Sequence, residues 1–96
     1  MFDKMKYVTS GINRTLDYKV QVMLWRMIDS LQGEKDYLQV FELTRIDGFI
    51  TKIVNKQEEP EYLKEYLVKE SISEEYVKVY VIDDGAYSTM LLSSEY

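Results

Sequence analysis

The chain contains no cysteine and no histidine, and only one proline among its 96 residues. The first absence removes disulfides and thiolate metal sites, and the second removes imidazole ligands. Together they exclude Ser-His-Asp and Cys-His nucleophile pairs. A basic block is lacking too: twelve Lys and Arg are scattered among seventeen Asp and Glu, for a net charge of −5 and a pI near 4.7. Phosphate recognition relies on clustered cations, so nucleic acid and anionic membranes are disfavoured partners. No stretch approaches the ~20 apolar residues that cross a bilayer. The opening "MFDKMKYVTSGINR" has no apolar run of the signal-peptide kind. A cytoplasmic location is therefore expected, with no cofactor and no metal.

What remains is a globular composition, 46% apolar and 30% charged, with four glycines and no low-complexity tract. The length suits a single domain, residues 1–96, and not two. Along the chain, "MKYVTS" (5–10) alternates as a short first strand would. In "GINRTLDYKVQVMLWRMIDSLQG" the period changes. Leu16, Val20, Met23, Leu24, Met27 and Leu31 recur at i, i+3, i+4 and i+7, which predicts one amphipathic helix of about four turns. Asn13 or Thr15 is placed to cap its start, and Gly33 to end it.

"DYLQVFELTRIDGFITKIVNKQ" reads as a β-hairpin turning at Asp47 and Gly48. A two-residue loop would set Glu42 against Ile53 and Val40 against Asn55. A three-residue loop with Gly48 left-handed pairs Phe41 with Ile53, Val40 with Val54 and Glu42 with Lys52, and is preferred on cross-strand matching. "EEPEYLKEYLVKE" (58–70) fits a helix by the i, i+4 spacing of Tyr62/Tyr66 and Leu63/Leu67. It fits a strand equally by alternation, and the β-like flanks favour strand. "YVKVYVIDDGAYSTMLL" is a second hairpin, turning at Asp84 and Gly85. There a two-residue loop pairs Val79 with Met90, a three-residue loop pairs Val79 with Thr89, and both are acceptable. The economical architecture is an α+β domain: one long helix packed on one face of a mostly antiparallel sheet, with two Asp-Gly hairpins.

"KYVTSGIN", "VQVMLWRMID", "DYLQVFELTRIDG", "QEEPEY" and "VYVIDDGAYSTMLLSSEY" together resemble a family of small uncharacterised proteins of low-GC Gram-positive bacteria, first described from staphylococci. The resemblance spans essentially the whole chain. It implies a bacterial cytosolic protein with an α+β fold, and it carries over no activity, cofactor, partner or catalytic residue.

Candidate sites must come from the residues themselves. Asp83-Asp84-Gly85 with Ser88 and Thr89 could ligate a hard cation, but calcium wants about 6–8 oxygens and two adjacent acids fall short. Glycine supplies a positive φ and aspartate tolerates turns, so a hairpin turn is the favoured reading there. Carboxylate acid–base chemistry needs no histidine, so a small enzyme or ligand-binding domain built on carboxylates and tyrosines is the alternative reading. The favoured reading is a non-enzymatic interaction module, binding another protein or a second copy of itself. Tyr18, Val22 and Trp25 recur at i, i+4, i+7 on the helix flank opposite the core stripe, where solvent is expected. Tyr76 and Tyr80 alternate against Val77, Val79 and Val81, which would place them on an open sheet face. Tyrosine and tryptophan are frequent interface anchors. Aromatics on an open sheet also suit single-stranded RNA, but such platforms carry a basic surface that this chain lacks.

Overall fold

A computed structural model describes residues 2–96. Six strands and three short helical segments follow in the order β1 (Met5–Val8), α1 (Ser10–Thr15), α2 (Tyr18–Asp29), β2 (Leu38–Arg45), β3 (Thr51–Gln57), β4 (Tyr62–Val68), β5 (Tyr76–Asp83), β6 (Tyr87–Leu92) and a final 3-10 turn, η1 (Ser93–Glu95). The strands form one mixed sheet, β1-β6-β5-β2-β3-β4. Only β1 runs parallel to its neighbour, pairing Met5 with Tyr87 and Val8 with Met90. The α+β class holds, and the 62–68 segment is a strand.

The single long helix does not. Two helices meet at Leu16 and Asp17, both extended (φ −122°, ψ 130° and φ −73°, ψ 168°). Side chains make the break. Thr9 Oγ1 accepts the Ile12 N–H at 3.2 Å and starts α1, which also shortens the expected first strand. Leu16, free of the helix, turns its side chain into the core at 1% exposure. Gln21 then stitches the junction, its Nε2 donating to the Leu16 carbonyl at 2.9 Å and to Asn13 Oδ1 at 3.0 Å. Asn13 and Thr15 are thus not caps of a long helix. Its far end also comes early: Ser30 closes α2 through an Oγ bond to the Met27 carbonyl, and Gly33 (φ +78°) lies in the following loop.

The core lies between the helices and one sheet face. Val20, Leu24, Met27 and Ile28 share a buried cluster with Phe41, Leu43, Ile53, Val77, Val79, Val81 and Met90. The expected helix stripe is therefore the buried one, with Met23 half-buried at its margin. The central strands β2, β3 and β5 obey period two, so Phe41, Leu43, Ile53, Val77 and Val79 face inward together.

Both hairpin registers differ from expectation. In the first, Val40 pairs with Lys56, Phe41 with Asn55 and Glu42 with Val54, two residues along from the expected pairing. A slip of two keeps each side chain on its expected face. The cause is Asp47, whose Oδ1 accepts the N–H groups of Phe49 (2.7 Å) and Ile50 (3.0 Å). That bracket centres the turn on Gly48, which is not left-handed. Matching apolar with apolar also misled, because the buried face of this hairpin contains amides. Asn55 Nδ2 donates to Gln39 Oε1 at 3.1 Å, and Gln39 Nε2 donates to Gln57 Oε1 at 2.6 Å. All three residues are buried.

In the second hairpin Val79 pairs with Leu92 and Val81 with Met90, which is neither expected register. Gly85 (φ +98°) and Ala86 are the central turn residues, since Asp84 N–H donates to the Tyr87 carbonyl at 3.1 Å. Glycine at the first central position supplies the positive φ that such two-residue turns require.

Candidate interaction surface

The inward valines of β5 force Tyr76, Lys78, Tyr80 and Ile82 onto the other face of the sheet. No helix covers that face within the described residues, because both helices pack on the valine side. The β6 pairing adds Tyr87, Thr89 and Leu91 to the same open face, and the parallel β1 pairing adds Met5 and Tyr7. Tyr7 stands edge-to-face on Tyr87, ring centroids 5.2 Å apart at 87°. Tyr80 makes the same arrangement with Tyr96 of the C-terminal turn, at 5.4 Å and 87°. Tyr76 is half-exposed at 51%. Further across, Leu63 and Leu67 of the edge strand β4 project outward on the same side, strongly exposed.

Charge on the open face is concentrated at its middle. Lys56 Nζ lies 2.7 Å from Glu42 Oε2, and this hydrogen-bonded partner is the main reason the Lys56 pKa is raised. Lys78 Nζ lies 5.8 Å from the Tyr80 ring centroid. Burial against these neighbours raises the Tyr76 pKa, with Glu42 adding to it. The phenol is therefore neutral and a hydrogen-bond donor at physiological pH.

The helix trio separates. Tyr18 is 77% exposed, but Val22 is half-buried. Trp25 packs against the core cluster, with Lys6 Nζ 5.7 Å from its ring centroid. Tyr18, Val22 and Trp25 thus form no continuous exposed stripe, and they lie on the helix layer, across the sheet from Tyr76 and Tyr80. Phe2 fills part of the adjoining core at 1% exposure.

Three of the acidic turn's four carboxylate oxygens accept backbone N–H groups. Asp83 Oδ1 accepts Gly85 N–H and Oδ2 accepts Phe2 N–H, each at 2.7 Å. Asp84 Oδ1 accepts the N–H groups of Ala86 and Tyr87, each at 3.0 Å. Burial alone would raise the Asp83 pKa, but the two N–H donors, together with nearby positive charge that includes Lys4, hold the carboxyl below its ordinary value. These are turn-forming roles, like that of Asp47 in the first hairpin.

Sequence reasoning passed over the first hairpin's tip. Among the described residues Phe49, at 81% exposure, is the most exposed of the large hydrophobics, with Ile46 beside it at 54%. The signal was available: "RIDGFI" puts three apolar residues, Ile46, Phe49 and Ile50, around a turn, where polar ones are usual. Tyr7, Tyr87 and Tyr96 were missed for another reason, since only the non-local β1–β6 pairing and the C-terminal turn bring them to the open face.

Fold and surface together define a small α+β domain, a single mixed sheet with one face packed and the other aromatic and open. The chain belongs to the family described as staphylococcal protein of unknown function (DUF960), whose model matches residues 5–95. The fold is similar to that in a crystal structure of a protein of unknown function from Enterococcus faecalis. The TM-score is 0.86 at 23% identity, over 98% of this chain and 92% of that one. No curated protein matches the chain. No helix of the described residues is long and apolar enough to cross a membrane.

Proposed function

We propose that the chain is a non-enzymatic protein-interaction module that docks a protein partner on the open face of its sheet. The observation that carries this reading is the gathering of Tyr7, Tyr76, Tyr80, Tyr87 and Tyr96 on the side away from the core. Tyrosine supplies large contact area at low entropic cost, and aromatic residues are enriched at interface cores. The face is also large enough. The two longer extents of the molecule, 36 and 26 Å, leave room for the ~800 Å² per partner of a standard interface.

The Glu42–Lys56 pair and Lys78 supply the polar contacts that fix register on such a surface. The net charge of −5 favours a protein partner over nucleic acid. The carboxylates that an enzymatic reading would draw on, Asp83 and Asp84, serve backbone N–H groups instead. A paired Tyr76→Asp/Tyr80→Asp variant tests the reading. It is expected to stay folded by circular dichroism and to lose the proteins that the immobilised wild type retains from a cell lysate. A folded variant that retains them all would overturn the assignment.

A further inference from the structure

The tip of the β2–β3 hairpin is a preformed apolar knob. Asp47 Oδ1 holds the N–H groups of both Phe49 and Ile50, while the Ile46 and Asp47 N–H groups donate to the Ile50 carbonyl at 2.9 and 3.3 Å. Phe49 and Ile46 contribute nothing to the core, and the hydrogen-bonded turn fixes the backbone that carries them into water. An exposed aromatic on a preformed turn suits an interface anchor, because little backbone freedom is lost when it docks. Lys69 lines a shallow depression with Phe49, and Lys52 lies near the start of β3; Arg45, at the end of β2, has its guanidinium donating to the Ser73 carbonyl at 2.8 Å. Of the two acids nearby, Asp47 is spent on the turn and Glu70 lies 3.7 Å from Lys19.

The opposite end of the same hairpin holds the complementary feature. A cavity of about 630 Å³ is lined by Tyr37, Leu38 and Val40 together with Asp36, Glu58 and Glu59, and by Lys56, whose ammonium is paired with Glu42 at 2.7 Å. This is within the ~300–1,000 Å³ range of pockets that enclose a ligand. Its apolar side chains suit a phenyl ring. Asp36 is spent on the N–H groups of Glu58 and Glu59, at 3.3 and 3.0 Å, so Glu58 and Glu59 supply the negative charge that meets the cations beside Phe49. Leu38 and Arg45 bound β2, so the knob and the cavity stand ~23 Å apart at ~3.3 Å per residue. One molecule cannot satisfy both.

We infer that a second copy of this chain supplies the occupant: Phe49 of one molecule seats in the Tyr37/Leu38/Val40 cavity of the next. The contact joins two different patches, so it is heterologous and extends head to tail into short chains or a ring. It deepens the open-face reading, on which its acceptor half rests, because Leu38 and Val40 lie at the corner of that face. A single anchor buries less than a standard interface, so the association is weak and shows itself only at high protein concentration.

Sedimentation velocity from about 10 to 500 µM reads it out. Wild type is expected to show an average mass that climbs past a dimer with concentration. Phe49→Asp, on an exposed tip, stays monomeric, and so does the acceptor variant Leu38→Lys, each with a native circular dichroism spectrum. An equimolar mixture of the two retains one working knob and one working cavity, so it forms a dimer and stops there. A strictly monomeric wild type, a Phe49→Asp variant that associates like wild type, or a mixture no heavier than its components would each overturn the proposal. Tyr76→Asp lies outside the contact and leaves the mass profile unchanged. If Tyr76→Asp dissociates the wild-type species and Phe49→Asp does not, the head-to-tail contact is overturned while the open-face reading stands.

Discussion

Glu95 Oε1 accepts the Thr9 hydroxyl at 2.8 Å, joining residues 86 apart in sequence. The same oxygen accepts Leu92 N–H at 2.8 Å, and Thr9 in turn caps α1 at Ile12. The C-terminal turn is thereby tied to the start of the first helix. Gly11 sits directly under the carboxylate, and a Cβ there would lie 2.6 Å from Glu95 Oε2. Gly11→Ala and Glu95→Ala are each expected to lower the melting temperature. Their effects should combine to less than the sum, because removing the carboxylate also removes the clash. Thermal unfolding of both single variants and the double variant checks this, and strict additivity would contradict the contact.

Acid should loosen the fold through Asp83 and Glu95. Burial pushes the Asp83 pKa upward, but the N–H donors of Gly85 and Phe2, together with nearby positive charge that includes Lys4, bring it below its ordinary value. At Glu95 the Leu92 N–H lowers the pKa, and the Thr9 hydroxyl adds to it. With a depressed folded-state pKa, the unfolded chain takes up the proton first as pH falls. The stabilisation is therefore complete above the ordinary carboxylate pKa of about 3.9–4.3 and is lost as pH falls through the folded-state values. Urea midpoints measured from pH 7 down to pH 3 should decline. The decline should be shallower for Asp83→Asn, which starts lower because a charge-assisted acceptor is gone, at a cost of about 1–2 kcal/mol.

The two turn glycines should respond differently to alanine. Gly85 has φ +98°, a conformation that costs an L-residue about 1–2 kcal/mol, so Gly85→Ala should lower stability by that much. Gly48 has no positive φ and no atom within 4 Å of an added Cβ. Gly48→Ala should stay within about 0.5 kcal/mol of wild type. Denaturant titration of the pair tests the turn geometries directly. A large loss at Gly48 would restore the left-handed three-residue loop.

On the helix layer, Tyr18 and Trp25 should part company. Tyr18→Ser is expected to change stability by no more than about 0.5 kcal/mol, since its side chain is exposed. Trp25→Ala opens space beside the core cluster and removes the ring under Lys6, for a loss of about 2 kcal/mol. Equal, small effects at both positions would mean that Trp25 is surface after all.

These contrasts show where sequence reading succeeded. Period two placed Val77, Val79 and Val81 inward and Tyr76 and Tyr80 outward, because burial of one face is enforced along the whole strand. The i, i+3, i+4 pattern found the buried side of α2 for the same reason. The helix break was not legible, since it depends on Gln21 reaching back to the Leu16 carbonyl, a bond with no periodic signature. Nor were the registers, which Asp47 and Asp84 set with single carboxylate oxygens. Gln39, Asn55 and Gln57 defeat a rule that pairs apolar with apolar, because amides that bond one another can be buried together. The site was half legible. Tyr76 and Tyr80 were found, whereas Tyr7 and Tyr87 needed a parallel pairing between the first strand and the last.

The open-face assignment is tested most directly by position-specific crosslinking. A photoreactive phenylalanine analogue replaces Tyr76 on the open face in one sample and exposed Tyr18 on the helix layer in another. Activated in cell lysate, the analogue at position 76 is expected to give a discrete crosslinked protein, whether a separate partner or a second copy. The analogue at position 18 is expected to give none above background. Crosslinking confined to position 18, or none at position 76, would contradict the open face as the docking surface.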